Sequence, residues 1–135
     1  TLTPFATNAG GAGGLTVDAA GNVYVTAAGQ IRKFSSAGTD LGGFGTYQAS
    51  GSPFTFAAVR GDLAYDPTTG DVYATNAPSL FRIRSDGIVL QANGAAATTF
   101  NATLTNSFSG TEFIAYAAPL PVPEPTMLLG VAAGA

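Results

Sequence analysis

Residues 14–41, GLTVDAAGNVYVTAAGQIRKFSSAGTDL, are echoed at 61–90 by GDLAYDPTTGDVYATNAPSLFRIRSDGIVL. Leu15 matches Leu63 and Asp18 matches Asp66, an offset of 48. One extra residue in the second turn moves every later match to an offset of 49, pairing Gly21 with Gly70, Val23 with Val72, Tyr24 with Tyr73, Thr26 with Thr75, Ile31 with Leu80, Phe34 with Ile83 and Gly38 with Gly87. Matches that run in order through one insertion are the mark of a duplicated structural unit, and a repeat restricts the fold more than any local propensity. Within each unit, short apolar and β-branched runs (LTVD, NVYV; LAYD, DVYA) are split by turns. There an Asp can bond the backbone two residues on and a Gly supplies positive φ. A third run (QIRKF; LFRIR) and a fourth (TDLGGF; GIVLQ) follow across further turns. Four short strands per unit, with turns every 8–12 residues, predict an all-β antiparallel meander.

Composition agrees and narrows the function classes. Hydrophobic residues make up 46% of the 135 and charged residues only 10%, with 18 glycines and a net charge of −3. The five basic residues, Arg32, Lys33, Arg60, Arg82 and Arg84, are too sparse to track phosphates, so no nucleic-acid partner is expected. The sequence has no cysteine, which removes disulfides, thiolate catalysis and Cys-based zinc sites. It also has no histidine, the commonest general base and transition-metal ligand. No cofactor is implied.

The pattern GLTVDAAGNVYVTAAGQIRKFSSAG resembles NHL-type and related bacterial propeller repeats, in which a G-I-A-V-D-x-x-G-N-V-Y-V core leads to R-I-x-K-F and a glycine turn. The resemblance covers about 60 residues; the first unit shortens the stretch between its second and third strands, and the second diverges further. It implies β-propeller-like, four-stranded antiparallel blades, two of them recognisable. Propellers close with 4–8 blades, so two imply a partial propeller. A longer propeller, one ring shared by several chains and an open pair of units stacking end to end all remain compatible with that. The repeat region is assigned to 1–118, with units at about 14–60 and 61–109. A further inner strand is expected at 110–118, where FIAYA echoes DLAYD. The insertions at 45–60 and 92–109 each hold a strand-like run, FTFAAV and TTFNATL, expected as an outer strand and linker.

Candidate chemistry in the repeats is thin. Asp66 and Asp71 flank the DPTTGD turn and are weak calcium candidates, short of the three or more oxygen side chains of a D-x-[DN]-x-[DN]-G loop. Asp66 has the simpler role of capping its turn. Asp62 and Glu112 have no spacing that joins them as an acid–base pair, so no catalytic residue is assigned and the chain is read as a non-enzyme. The alternative is a secreted propeller hydrolase of the lactonase kind, with its active site in blades outside this sequence. Arg32–Lys33 and Arg82/Arg84 fall at matching repeat positions; they are read as a charged strand face, or as a weak strip for acidic polysaccharide.

After Tyr116 the composition changes. AAPLPVPEP holds four prolines in nine residues, an extended spacer unsuited to a strand, and TMLLGVAAGA follows without a charge. Ten uncharged residues are half of a membrane span. The segment closely resembles the PEP-CTERM sorting signal of Gram-negative bacteria. Val122, Pro123, Glu124 and Pro125 match its box, and Leu128, Leu129, Gly130 and Val131 lie in the start of its transmembrane helix. The spacer with its box is assigned to 119–125 and the truncated hydrophobic helix to 126–135. The resemblance implies export and an inner-membrane intermediate anchored by the C-terminal segment. An exosortase would then recognise the box, with final placement at the cell surface or in the extracellular matrix. Polysaccharide or another matrix protein is the implied partner of the body. A self-assembling matrix filament subunit is the alternative role.

Overall fold

The computed structural model describes residue 5 and residues 13–48, 50–55, 61–76, 79–91, 94–96 and 114–115. They form eight strands: β1 (Leu15–Val17), β2 (Val23–Ala27), β3 (Gln30–Phe34), β4 (Asp40–Phe44), β5 (Leu63–Tyr65), β6 (Val72–Asn76), β7 (Ser79–Ile83) and β8 (Val89–Leu90). Two four-stranded antiparallel sheets result, β1-β2-β3-β4 and β5-β6-β7-β8. The described residues contain no helix. The 48- and 49-residue offsets recur in the register itself. Leu15 lies opposite Val25 and Leu63 opposite Ala74, while Val23 pairs with Phe34 and Val72 with Ile83. The expected inner strand at 110–118 is described only at Ile114 and Ala115, which are not in a strand. The TTFNATL run, the sorting box and the 126–135 helix lie outside the described residues.

Turn chemistry explains why both units fold alike. The Asp18 carboxylate accepts from the amides of Ala20 and Asn22, and that of Asp66 accepts from the amide of Thr68. Gly21 and Gly70 close these turns at φ 81° and 78°, each donating its amide to the carbonyl of the turn's Asp. β2 and β3 are joined by a two-residue turn, Ala28-Gly29, with both residues at positive φ, as a tight right-twisted hairpin requires. β4 carries a bulge: register slips between Lys33 and Phe34, leaving Leu41 exposed.

The sheets pack unlike face to unlike face. Residues opposite one another across a ladder share a face, so Thr16, Tyr24, Thr26, Ile31, Lys33 and Phe44 lie on one side of the first sheet. On the second sheet, Leu63, Tyr65, Val72, Ala74, Phe81, Ile83 and Val89 share the opposite kind of face, the one that carries Leu15, Val17, Val23 and Phe34 in the first. Tyr24, Ile31 and Phe44 join Leu63, Val72, Phe81 and Ile83 in one buried core. At the inner strands the Gly14 amide donates to the Gly61 carbonyl at 2.9 Å, and the Tyr65 amide to the Thr16 hydroxyl at 3.0 Å. Of the FTFAAV run, Phe54 and Thr55 are described, and Phe54 is a core wedge outside any named strand. Its ring meets Phe81 edge-on at 4.8 Å and lies 6.2 Å from Tyr47.

Candidate functional site

The inner strands end beside a shallow groove of about 400 Å³, bounded by Thr16, Val17, Leu63, Ala64, Tyr65 and Ile114 among others. A second groove of about 260 Å³ continues along the far side of β5, lined by Ala64, Asp66, Tyr73, Leu80, Ile114 and Ala115. Both are open surfaces lined by apolar and polar groups, the polar ones being the hydroxyl of Thr16, two tyrosines and the Asp66 carboxylate. Asp62 anchors the junction: its carboxylate accepts from the Leu63 amide and from the Ile114 amide, both at 2.9 Å. Ile114 thereby comes to lie beside the second sheet's inner strand.

The turn aspartates next to the grooves are committed to structure. In the first unit the Asp18 carboxylate also accepts from Asn22 Nδ2 and the Tyr24 hydroxyl, with Lys33 Nζ at 3.9 Å. Burial works against its charge, but these hydrogen bonds outweigh burial and hold its carboxyl below the usual carboxylate range. In the second unit Asp66 accepts from the Thr69 hydroxyl and the Thr68 amide, with the same net direction against the same opposing burial. The repeat-mate of Asn22 is Asp71, and the mate of Lys33 is Arg82. These two form an ion pair at 2.6 Å with the Asp71 side chain almost fully buried. The calcium candidates Asp66 and Asp71 are therefore bound to the turn and to a guanidinium, respectively. Among the described residues no three acidic side chains converge.

The basic face resolves similarly. Lys33 and Arg82 are true repeat-mates, whereas Arg32 corresponds to Phe81 and Arg84 to Ser35. Arg32 pairs with Asp40, and Arg84 with Asp86 at 2.5 Å. Lys33 also lies 4.9 Å from the Tyr24 ring centroid. Each of these four cations thus has an aspartate beside it, which leaves little free positive charge for a polyanion. Pairing of this kind is hard to read from sequence, because it depends on which strand edge faces which turn. Val122 to Pro125 and Leu128 to Val131 lie outside the described residues.

A scan against protein families finds no match, and a search of curated proteins finds none that is similar.

Proposed function

We propose that this chain belongs to an exported bacterial β-propeller-like binding module, anchored at the cell surface or in the matrix and sorted by an exosortase through Val122-Pro123-Glu124-Pro125. The sorting half rests on the order of that box and the apolar run from Leu128. The propeller half rests on one observation: two meanders of matching register set their inner strands side by side, with the next inner segment, Ile114, held against the second by Asp62. Successive blades about a common axis would place their inner strands in this way, which is what supports the propeller reading. The ligand class favoured is a neutral, hydroxylated polymer such as an uncharged polysaccharide. Tyr65 and Tyr73 offer aromatic surface at the grooves, while the described cations are paired with aspartates. No catalytic role is assigned.

Two measurements test this reading. Expressed behind an export leader in an exosortase-bearing Gram-negative host, the chain should be processed near its box and leave the inner membrane. Glu124→Ala should leave it unprocessed in the membrane fraction. Equal processing of both would remove the sorting assignment. In a glycan-binding screen the purified chain should retain neutral polysaccharides, and Tyr73→Ala should weaken that retention at least several-fold. Preference for acidic polymers would overturn the ligand class.

A further inference from the structure

The turns between the third and fourth strands of the two units are built alike and differ at one reactive place. In the second unit the Gly87 amide donates to the Arg84 carbonyl at 2.8 Å with Gly87 at φ 87°; in the first, the Gly38 amide donates to the Ser35 carbonyl at 2.9 Å with Gly38 at φ 82°. Ala37 stands in the first turn where Asp86 stands in the second, so the turn forms without a carboxylate. Asp86-Gly87 is the one Asp-Gly pair in the sequence. Its exposed carboxylate is clamped: Arg84 Nε donates to both oxygens at 3.0 Å, Arg84 Nη2 to one at 2.5 Å and the Ile88 amide at 3.1 Å. The same turn fastens the second sheet to the end of the first. The Gly87 carbonyl accepts from the Thr46 amide at 2.8 Å, the Val89 amide donates to the Thr46 carbonyl at 3.0 Å, and a side chain at Gly87 would sit 3.6 Å from the Phe44 ring.

We propose that Asp86-Gly87 is a modification site, where the chain rearranges to isoaspartate when this turn opens, and that Arg84 and Thr46 are the groups that hold it closed. The Gly87 nitrogen, with no side chain beside it to hinder approach, attacks the Asp86 Cγ. A bond forms between them and the carboxyl hydroxyl leaves with the amide hydrogen as water. Water then reopens the five-membered imide. Addition at Cγ restores aspartate, whereas addition at the α-carbonyl carbon breaks the original peptide bond and leaves the chain running through Cβ and Cγ, with a free α-carboxylate. Three contacts oppose the first step. The turn bond to the Arg84 carbonyl and the Thr46 bond keep the Gly87 peptide from rotating. Hydrogen bonds from Arg84 hold the Asp86 carboxyl below the usual carboxylate range, and an ionised carboxylate is a poor acceptor for the nitrogen. Once formed, isoaspartate lengthens the backbone by one carbon, about 1.5 Å, and moves the Gly87 carbonyl away from Thr46. This inference rests on the turn alone and is independent of the sorting and ligand assignments.

Isoaspartate at position 86, followed by mass spectrometry during incubation at neutral pH, tests it. The full chain is used in an Asn93→Gln background, which removes the neighbouring Asn-Gly pair from the signal. A synthetic peptide of residues 79–92 should rearrange about ten-fold faster than the folded chain, because in the chain the turn must first open. Arg84→Ala should speed the folded chain about two- to five-fold, the range expected when one exposed ion pair is lost. Far-UV circular dichroism checks that this variant keeps its β spectrum; if it does not, the same comparison is made on the unsubstituted Arg84 chain in about 1 M sodium chloride, where the pair is screened. In the rearranged chain, separated by ion exchange, the Thr46 amide should exchange with deuterium faster while that of Leu63 keeps its rate. A peptide that forms no isoaspartate overturns the site. Equal rates in peptide and chain, or an Arg84→Ala chain no faster than its parent, overturn the restraint. Unchanged Thr46 exchange in the rearranged chain overturns the structural consequence.

Discussion

Ala28 holds φ at 50°, in the left-handed region that its methyl group disfavours, at a cost of roughly 1–2 kcal/mol. The turn tolerates it because Gly29 beside it takes the second positive φ and the flanking pairs fix the hairpin. Asparagine occupies this region more readily, so Ala28→Asn should stabilise the fold by about 0.5–1 kcal/mol, read as a higher urea midpoint at unchanged slope. Two tyrosines set the alkaline limit. Burial pushes the Tyr47 phenol up to about 12 from an ordinary 10.0. Burial, then the bond to Asp18, raises Tyr24 as well. A folded-state value above the unfolded one means stability that is complete below pH 10 and lost as pH climbs through 12. Tyrosinate absorbance should therefore lag behind that of a free phenol and appear together with loss of the β spectrum. Tyr47→Phe should shift that midpoint upward.

At the level of elements, the repeated strand is positioned by its approach to its neighbour. A methyl group on Gly14 would collide with the Asp62 Cα and lie 2.7 Å from the Gly61 carbonyl oxygen, both backbone contacts that cannot swing away. The Thr26 hydroxyl ties the same place together, accepting from the Gly14 amide at 2.7 Å and donating to the Gly61 carbonyl at 2.9 Å. Gly14→Ala should cost about 1–3 kcal/mol by forcing the inner strands apart, measurable by thermal or urea unfolding. Much at this scale was legible in the sequence. The Asp-to-Gly spacing of 18–21 and 66–70 marks the turns, and the offsets of 48 and 49 carry through to the strand bounds. The ion pairs were less legible, since Asp71 meets Arg82 only because β6 and β7 place Tyr73 opposite Arg82. The function of 45–54 was hidden for a related reason: an outer strand and a buried wedge both read as a short apolar run.

For the molecule as a whole, the core is held by residues that join the two sheets rather than by either sheet alone. Phe54 is fully buried between Tyr47 and Phe81, and the Gly45 backbone runs against its Cβ. Phe54→Ala should cost about 3–5 kcal/mol and broaden or split the unfolding transition as the sheets uncouple. The unlike-face packing of the sheets could not be read from the sequence, because a duplicated pattern says which residues correspond but not which side of one copy meets which side of the other. That packing has a kinetic consequence. The Leu63 amide donates to the Asp62 carboxylate and the Tyr65 amide to the Thr16 hydroxyl, while Leu15 and Val17 occupy the same positions on an exposed strand. Local opening should therefore begin at β1, with the amides of Leu15 and Val17 exchanging with solvent deuterium well before those of Leu63 and Tyr65. Equal exchange at the two sites would mean that β1 is as well protected as β5. Because the strands being compared belong to one polypeptide in one tube, the measurement is its own reference, and protection of β1 at high concentration would report whatever comes to cover it.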